Sequence, residues 1–346
     1  MRSGYCIRKI TAPYTTPDFM KWKTFLNNGP SSIFFQSPEF VALYEGCNSY
    51  KPLVLFAENS KEELSGVLIA LMIREKIFSI PVNYVVLHCG PLISQTDPER
   101  NLILDQLLED LIKNVPRSTL FVEIRNQYHW EEGKKILRKH DFKWHDHLNK
   151  ILTLNKDKEI LSGIKNGKQR QIRRGFEKGV IIRRASSISE VNEFYSLLRE
   201  LYKKRVKKPL PPLLFFTNFY QKLQNEGKGI ILLTIYEEKV IGGIVCPFSG
   251  DHTVHEWYIV SDQNELKHLY PGVLSTWAGI DFAIRNNFQY FDFMGLGKPD
   301  QYYGVRIFKQ QFGGEIINPG RWRYVNNKIL YKLGNWGYSA LKKFFP

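Results

Sequence analysis

Cysteine is scarce in this sequence of 346 residues: Cys6, Cys47, Cys89 and Cys246 stand far apart, with no CxxC spacing. That spacing indicates neither a disulfide framework nor a zinc site, and it reads as four reduced thiols. Long apolar runs are missing as well. No stretch approaches the roughly 18 uninterrupted apolar residues of a membrane-spanning helix, and the opening MRSGYCIRKITAPYTTPDF has no apolar middle like that of a signal peptide. The expected location is therefore the cytoplasm. His145-Asp146-His147 brings two histidines close together without an evident third ligand, so no metal site is expected. Acidic residues are in deficit, 34 against 49 Lys plus Arg, which leaves a formal charge of +15. The surplus favours anionic partners, whether nucleic acid, phosphorylated sugars or an acidic membrane surface, and does not choose among them.

What is present is enough chain for about two domains. In the first part, Lys51–Ala57 and Leu64–Arg74 are apolar, strand-like runs around a polar ENSKEE turn. Asn101–Asn114 follows with amphipathic helical spacing, and then comes a strand, Ser118–Arg125. In the second part, Ser187 and Glu190 form an S-x-x-E capping box ahead of a helix that runs to about Lys204. Ile230–Tyr236 and Val240–Phe248 flank a turn as hairpin strands, and Thr253–Val260 supplies a third. A helix, Gly272–Arg285, then leads into a strand, Gln289–Phe293. Prolines break the basic KKRVKKPLPPL stretch at Lys203–Leu213. Gln221–Gly229 reads as a short turn.

The most informative segment is YFDFMGLGKPDQYYGVRIFKQQFGG, Tyr290–Gly314. Phe291, Phe293 and Met294 bracket Asp292 in strand-like alternation, and Gly295 and Gly297 permit a sharp turn. A short helix after Gly304 carries Arg306 and Lys309 and ends at Gly313-Gly314.

DFMG and GVR-x-FK-x-x-FGG resemble the Fem-type peptidyltransferases, bacterial enzymes that add amino acids to peptidoglycan precursors, and their short FemAB-like GNAT relatives. Weaker echoes are FFQSPEF at Phe34–Phe40, KQRQIRRGFEKGV at Lys168–Val180 and HEWYIVSD at His255–Asp262. The resemblance covers roughly residues 30 to 320 and lacks the coiled-coil arm that some Fem enzymes insert. It implies an α+β fold of two tandem GNAT-like domains, each a mixed, mostly antiparallel sheet flanked by helices. The divisions read from the sequence are 1–149, 150–320 and a basic aromatic tail at 321–346.

The resemblance also implies roles. Phe308 and Lys309 match a Phe-Lys pair at the reaction centre, where the lysine stabilises the charge of a tetrahedral intermediate. A fixed ammonium in a dry site lowers such a barrier by about 3 to 4 kcal/mol. Arg205 matches in position an arginine that Fem enzymes use for precursor phosphates, although a solvated turn carries such charges equally well. An aromatic near the precursor maps to Trp257 or Tyr258, and Tyr258 is preferred for its hydroxyl. Alternation sends these two neighbours to opposite sides of a strand. Tyr303 and Arg306 join as substrate-binding candidates. So does Arg173, on a basic helix from Lys165 to Lys178 that reads either as a phosphate- or tRNA-facing surface or as a solvated face. An early lysine of the Fem enzymes has no counterpart, since Leu43 and Tyr44 occupy that neighbourhood.

For the general base the candidates are Asp292 and Glu123; Asp292 serves equally as a loop cap, and Glu123 as a partner of Arg125 on the same strand face. The expected reaction is aminoacyl transfer, with aminoacyl-tRNA as donor and a phosphorylated sugar-peptide or lipid-linked precursor as acceptor. No cofactor is required. The rivals are a CoA-dependent N-acyltransferase, disfavoured because LKHLYPGVLS lacks the glycine-rich pyrophosphate loop, and a non-catalytic precursor- or RNA-binding protein. The tail at Arg321–Phe345 reads as a peripheral membrane contact or as a terminal helix packed on its own protein.

Overall fold

Apolar runs, several of them buried on both faces, build two sheets, and the computed structural model describes the chain over residues 4–11, 15–27, 33–77, 80–125, 131, 133–154, 160–262 and 266–331. The first part contributes β1 (Tyr5–Ile10), β2 (Tyr50–Asn59), β3 (Leu64–Ile77), β4 (Ile80–Leu87), β5 (Leu92–Ile93), β6 (Thr119–Arg125) and β7 (Lys143–His145). The second contributes β8 (Leu148–Thr153), β9 (Ile181–Arg184), β10 (Gly229–Tyr236), β11 (Lys239–Ser249), β12 (Thr253–His255), β13 (Tyr258–Ser261), β14 (Tyr290–Gly297) and β15 (Glu315–Ile317), with β16 (Arg321–Val325) last.

The first sheet runs β1-β2-β3-β4-β6-β16-β7, and the second β15-β8-β14-β12-β11-β10-β9. Both repeat one motif. Antiparallel β2-β3-β4 lead through the helix Arg100–Asn114 to β6, which lies parallel to β4. Antiparallel β10-β11-β12 lead through the helix Pro271–Arg285 to β14, parallel to β12. A helical crossover of this kind is what a parallel neighbour requires.

The expected third strand is broken in two. Four steps along β11, from Ser249 to Val245, face five steps from Thr253 to Tyr258, so one extra residue bulges out between β12 and β13. β14 follows β12 only as far as the His255–Asp292 pair, and among the described residues nothing pairs β14 with β13. The sheet opens there. The stretch before it also differs from its reading: the capped helix stops at Leu201, a wider turn of helix covers Tyr202–Val206, and the helix Leu213–Asn218 continues as Phe219–Gln224. Apolar Phe215, Phe216, Phe219 and Leu223, all buried, hold that helix in place despite its weak sequence signal.

The basic aromatic segment from Arg321 does not start as a tail. Arg321–Val325 is a strand of the first sheet between β6 and β7, anchored by buried Trp322. The membrane reading covers Arg321–Phe345, and of that segment residues 332–345 lie outside the described residues. One apolar core joins the two parts, since Phe34, Phe35 and Phe40 pack against Trp257 and, through it, Phe215.

Candidate active site

A cavity of about 350 Å³ lies between the two parts, lined from one side by Tyr50, Glu75, Tyr84, His88 and Arg125 and from the other by Glu256, Tyr258, Met294 and Lys309. Arg321 and Lys208 complete its wall. The bulge after β12 creates one side of it. With the alternation broken, Trp257 and Tyr258 both face the cavity, their rings 5.4 Å apart, rather than opposite faces. Burial pushes the Tyr258 phenol well up, so it is present as a hydrogen-bond donor.

Asp292 and Met294 shape the other side. The Asp292 carboxylate accepts from the Met294 backbone N–H at 2.7 Å and so supports a left-handed residue, φ +60°, where glycine is the ordinary choice. This kink interrupts the ladder between β14 and β8 and leaves the Phe293 carbonyl to accept from the Lys309 ammonium. Lys309 is only 6% exposed. Its Nζ lies 2.8 Å from Glu256 Oε1, although neither Glu256 oxygen has a hydrogen bond of good geometry. The contact is therefore an ion pair by distance, with carboxylate lone pairs still unused. Burial pushes the Glu256 carboxyl up, against the pull of Lys309, so it is poised to accept a proton at a higher pH than an ordinary glutamate. Below the pair, buried Lys150 donates to the Lys309 carbonyl at 2.9 Å and lies over the Phe293 ring. Burial and the nearby Lys309 push its ammonium down to about 8.

Glu256 is the residue that sequence reading missed. It stands inside HEWYIVSD, two residues before Tyr258, and no pattern announces a bulge. The readings of Asp292 and Glu123 as bases do not fit their surroundings. Asp292 is fully buried, away from the cavity lining, and accepts from His255 Nδ1 at 3.2 Å; His255 Nε2 meets Ser249 Oγ at 2.8 Å, and Ser249 receives the Phe34 N–H at 3.1 Å. This Ser-His-Asp chain is sealed from solvent, and it ties the Phe34 turn of the first part to the second sheet. Glu123, also buried, meets Arg125, Arg321 and Arg323. Burial pushes its carboxyl up, but the three guanidinium groups outweigh that and hold it far below the usual carboxylate range, which makes it a poor base.

The other candidates scatter. Phe308 packs on Phe312, away from the cavity, and the ammonium over its ring is that of Lys168, at 4.7 Å, not Lys309. Adjacent helical residues point to different sides, which separates the two members of the pair. Arg205 is exposed and does not line the cavity, whereas Tyr202 and Lys208 from the same stretch do. Arg306 donates to the carbonyls of Lys298, at 2.7 Å, and Gln301, fixing the loop before the helix Gly304–Lys309, and Tyr303 covers Gly297. Arg173 pairs with Glu177 at 3.5 Å and borders a separate groove with Arg170 and Trp277. No cluster that could hold a metal ion occurs among the described residues; His145 ends β7, and His147 lies in the short break before β8.

Residues 164–304 match the model of the acetyltransferase (GNAT) domain. The fold superposes on FemX with a TM-score of 0.66 at 14% identity, covering 94% of this chain and 99% of that one. This chain has the FemX-like tandem GNAT fold. A tandem GNAT protein from the clavulanic acid biosynthesis pathway has a TM-score of 0.57 at 8% identity, over 93% of this chain and 99% of that one. L-PGS from Bacillus licheniformis has 0.55 at 12% identity, over 90% and 93%. No curated protein matches the sequence significantly. The tandem GNAT halves thus supply the cavity, and within this fold the helix Gly304–Lys309 delivers its lysine to the opening of the second sheet.

Proposed function

We propose that this protein is an acyltransferase that moves an aminoacyl group from aminoacyl-tRNA to an amine of a peptidoglycan precursor or another cell-envelope glycoconjugate. The observation that carries the reading is the Lys309 ammonium, buried at the cavity wall and paired with a carboxylate of raised proton affinity. Acyl transfer to an amine needs both parts. The neutral amine attacks the ester carbonyl, the N–C bond forms, and negative charge grows on the carbonyl oxygen, where a fixed ammonium is worth about 3 to 4 kcal/mol. Glu256 takes the surplus proton from nitrogen and returns it to the ester oxygen as the C–O bond breaks. Protonating Glu256 also removes the counter-charge of Lys309 as the oxyanion develops, so one proton transfer strengthens the other interaction.

The match of residues 164–304 to an acetyltransferase domain favours acyl-CoA as the rival donor. Against it, the helix that would face a pyrophosphate begins Tyr270-Pro271, and proline offers no backbone N–H there. The test is to supply a soluble muramoyl-pentapeptide with either charged tRNA or acetyl-CoA and read the acceptor's mass. An added aminoacyl residue supports the proposal, an added acetyl group selects the rival, and binding without any mass change selects a binding protein.

A further inference from the structure

We infer that Arg125, Arg321 and Lys208 form a subsite for an anionic oxygen group, a phosphate or a carboxylate, carried by the molecule that enters the cavity. The inference deepens the proposed function by naming a chemical feature of its acceptor, and it rests on that reading only for which molecule bears the anion.

Charge balance is the first argument. Arg125 and Arg321 are direct partners across the β6–β16 ladder, an arrangement in which like charges repel. Arg323 sits opposite Glu123 in the same ladder. One carboxylate, Glu123, therefore serves three guanidinium groups, with Arg125 Nε at 2.9 Å and Arg321 Nη1 at 3.1 Å from the same oxygen, Oε1. The excess is two positive charges, and Lys208, which makes no ion pair among the described residues, adds a third at the cavity wall. Burial and then Arg125 push the Arg321 guanidinium down to about 10; Lys208, exposed as a residue but desolvated at the cavity wall, is pushed down by that desolvation, then by Arg321 and Arg125. Such a cluster costs stability on its own, since apolar residues of similar size pack without repulsion.

Geometry is the second. Arg125 uses Nε for Glu123 and Arg321 uses Nη1, so among the described residues the terminal nitrogens of Arg125 and the Nη2 of Arg321 remain for a ligand. Glu123 thus holds two planar forks from behind, on a rigid pair of strands, at the wall of a cavity. Forks held in this way suit bidentate contact with an oxygen anion. The acid on the same wall, Glu75, forms no ion pair with either arginine among the described residues. It accepts from Tyr50 and from Tyr84, at 2.9 Å, and burial pushes its carboxyl up, against the pull of these two hydrogen bonds and of Arg125. The position differs from Arg205, where the family resemblance had put phosphate recognition.

The test is isothermal titration of the full chain at low ionic strength with inorganic phosphate and, separately, acetate. We expect saturable binding of at least one, weakened about tenfold or more in Arg125→Gln and Arg321→Gln, and unchanged in Arg306→Gln, whose side chain holds a loop elsewhere. Phosphate preference points to a phosphorylated acceptor and acetate preference to a carboxylate. If either arginine variant fails to fold, exposed Lys208→Ala decides, with an expected severalfold loss and a shallower salt dependence. Absence of saturable binding by either anion, or binding that survives these substitutions, overturns the inference. Anion binding by a protein that transfers nothing leaves the subsite standing and removes the proposed reaction instead.

Discussion

Lys309 Nζ and Glu256 Oε1 lie 2.8 Å apart in a site where both side chains are almost wholly removed from solvent, 8% and 1% exposed. Breaking one side of such a pair costs about 3 to 5 kcal/mol when the remaining charge has no escape. Here it has one, because burial pushes the Glu256 carboxyl up and only Lys309 pulls against that shift, so removing the lysine eases its protonation. In Lys309→Met its folded-state pKa rises further above the unfolded value, so the protonated form stabilises the fold at low pH. That contribution is lost as pH rises through the folded pKa. The melting temperature of Lys309→Met should therefore approach that of the wild type in mild acid and fall behind it as pH increases. A deficit independent of pH would show that Glu256 is not the group left unpaired.

Glu256→Gln keeps the shape of the side chain and removes its ability to take a proton. Transfer should slow by about 10² to 10⁴-fold, with the acceptor's KM little altered, and the acid limb of the pH–rate profile should vanish. A purely structural Glu256 would leave that limb in place in whatever activity survives.

Glu123→Gln should behave in the opposite way. Because three guanidinium groups hold Glu123 well below the usual range, its stabilisation is present above the unfolded pKa and is lost only as pH falls through the depressed folded value. The carboxylate is fully ionised across the neutral range. The variant should lose several kcal/mol of stability, on the order of the cost of breaking a buried pair, as read by urea unfolding. Its residual pH–rate profile should keep the wild-type shape; a lost acid limb would restore Glu123 as the base.

Asp292→Ala should likewise damage structure before chemistry. It removes the acceptor for Met294 N–H and the anchor of His255, so the left-handed turn at Met294 loses its support. The melting temperature should drop, and transfer per folded molecule should fall because Lys309 loses the Phe293 carbonyl that positions it. Phe308→Leu, by contrast, should leave kcat within about a few-fold, since its ring engages Lys168 at an exposed-to-core boundary at a cost of about 1 kcal/mol.

The architecture was legible because its signals are local. The apolar runs KPLVLFA and GIILLTIY, the Ser187 cap that accepts from Glu190 N–H, and the helix after Pro271 each depend on neighbouring residues. Even there the box is incomplete, because the Glu190 carboxylate turns to Ser186 and Arg183 rather than to Ser187. Of the candidate site, Lys309 was legible from its flanking motif and Tyr258 from its neighbourhood, and both line the cavity. Glu256 was not, because a single inserted residue between β12 and β13 decides which way it faces, and strand alternation gives no sign of a bulge. Arg321 was hidden for another reason. Its strand pairs with residues almost two hundred positions earlier, a distance over which composition alone made it look like part of a basic tail.

The central claim is that Lys309 stabilises charge in the transition state rather than merely holding the fold or the substrate. The direct measurement is kcat and KM for wild type and Lys309→Met per folded molecule, followed across pH and compared on the plateau above each acid limb, using the muramoyl-pentapeptide acceptor and charged tRNA. The account predicts a fall in kcat of about 10²-fold or more with KM nearly unchanged; an unchanged kcat, or a loss confined to KM, would contradict it.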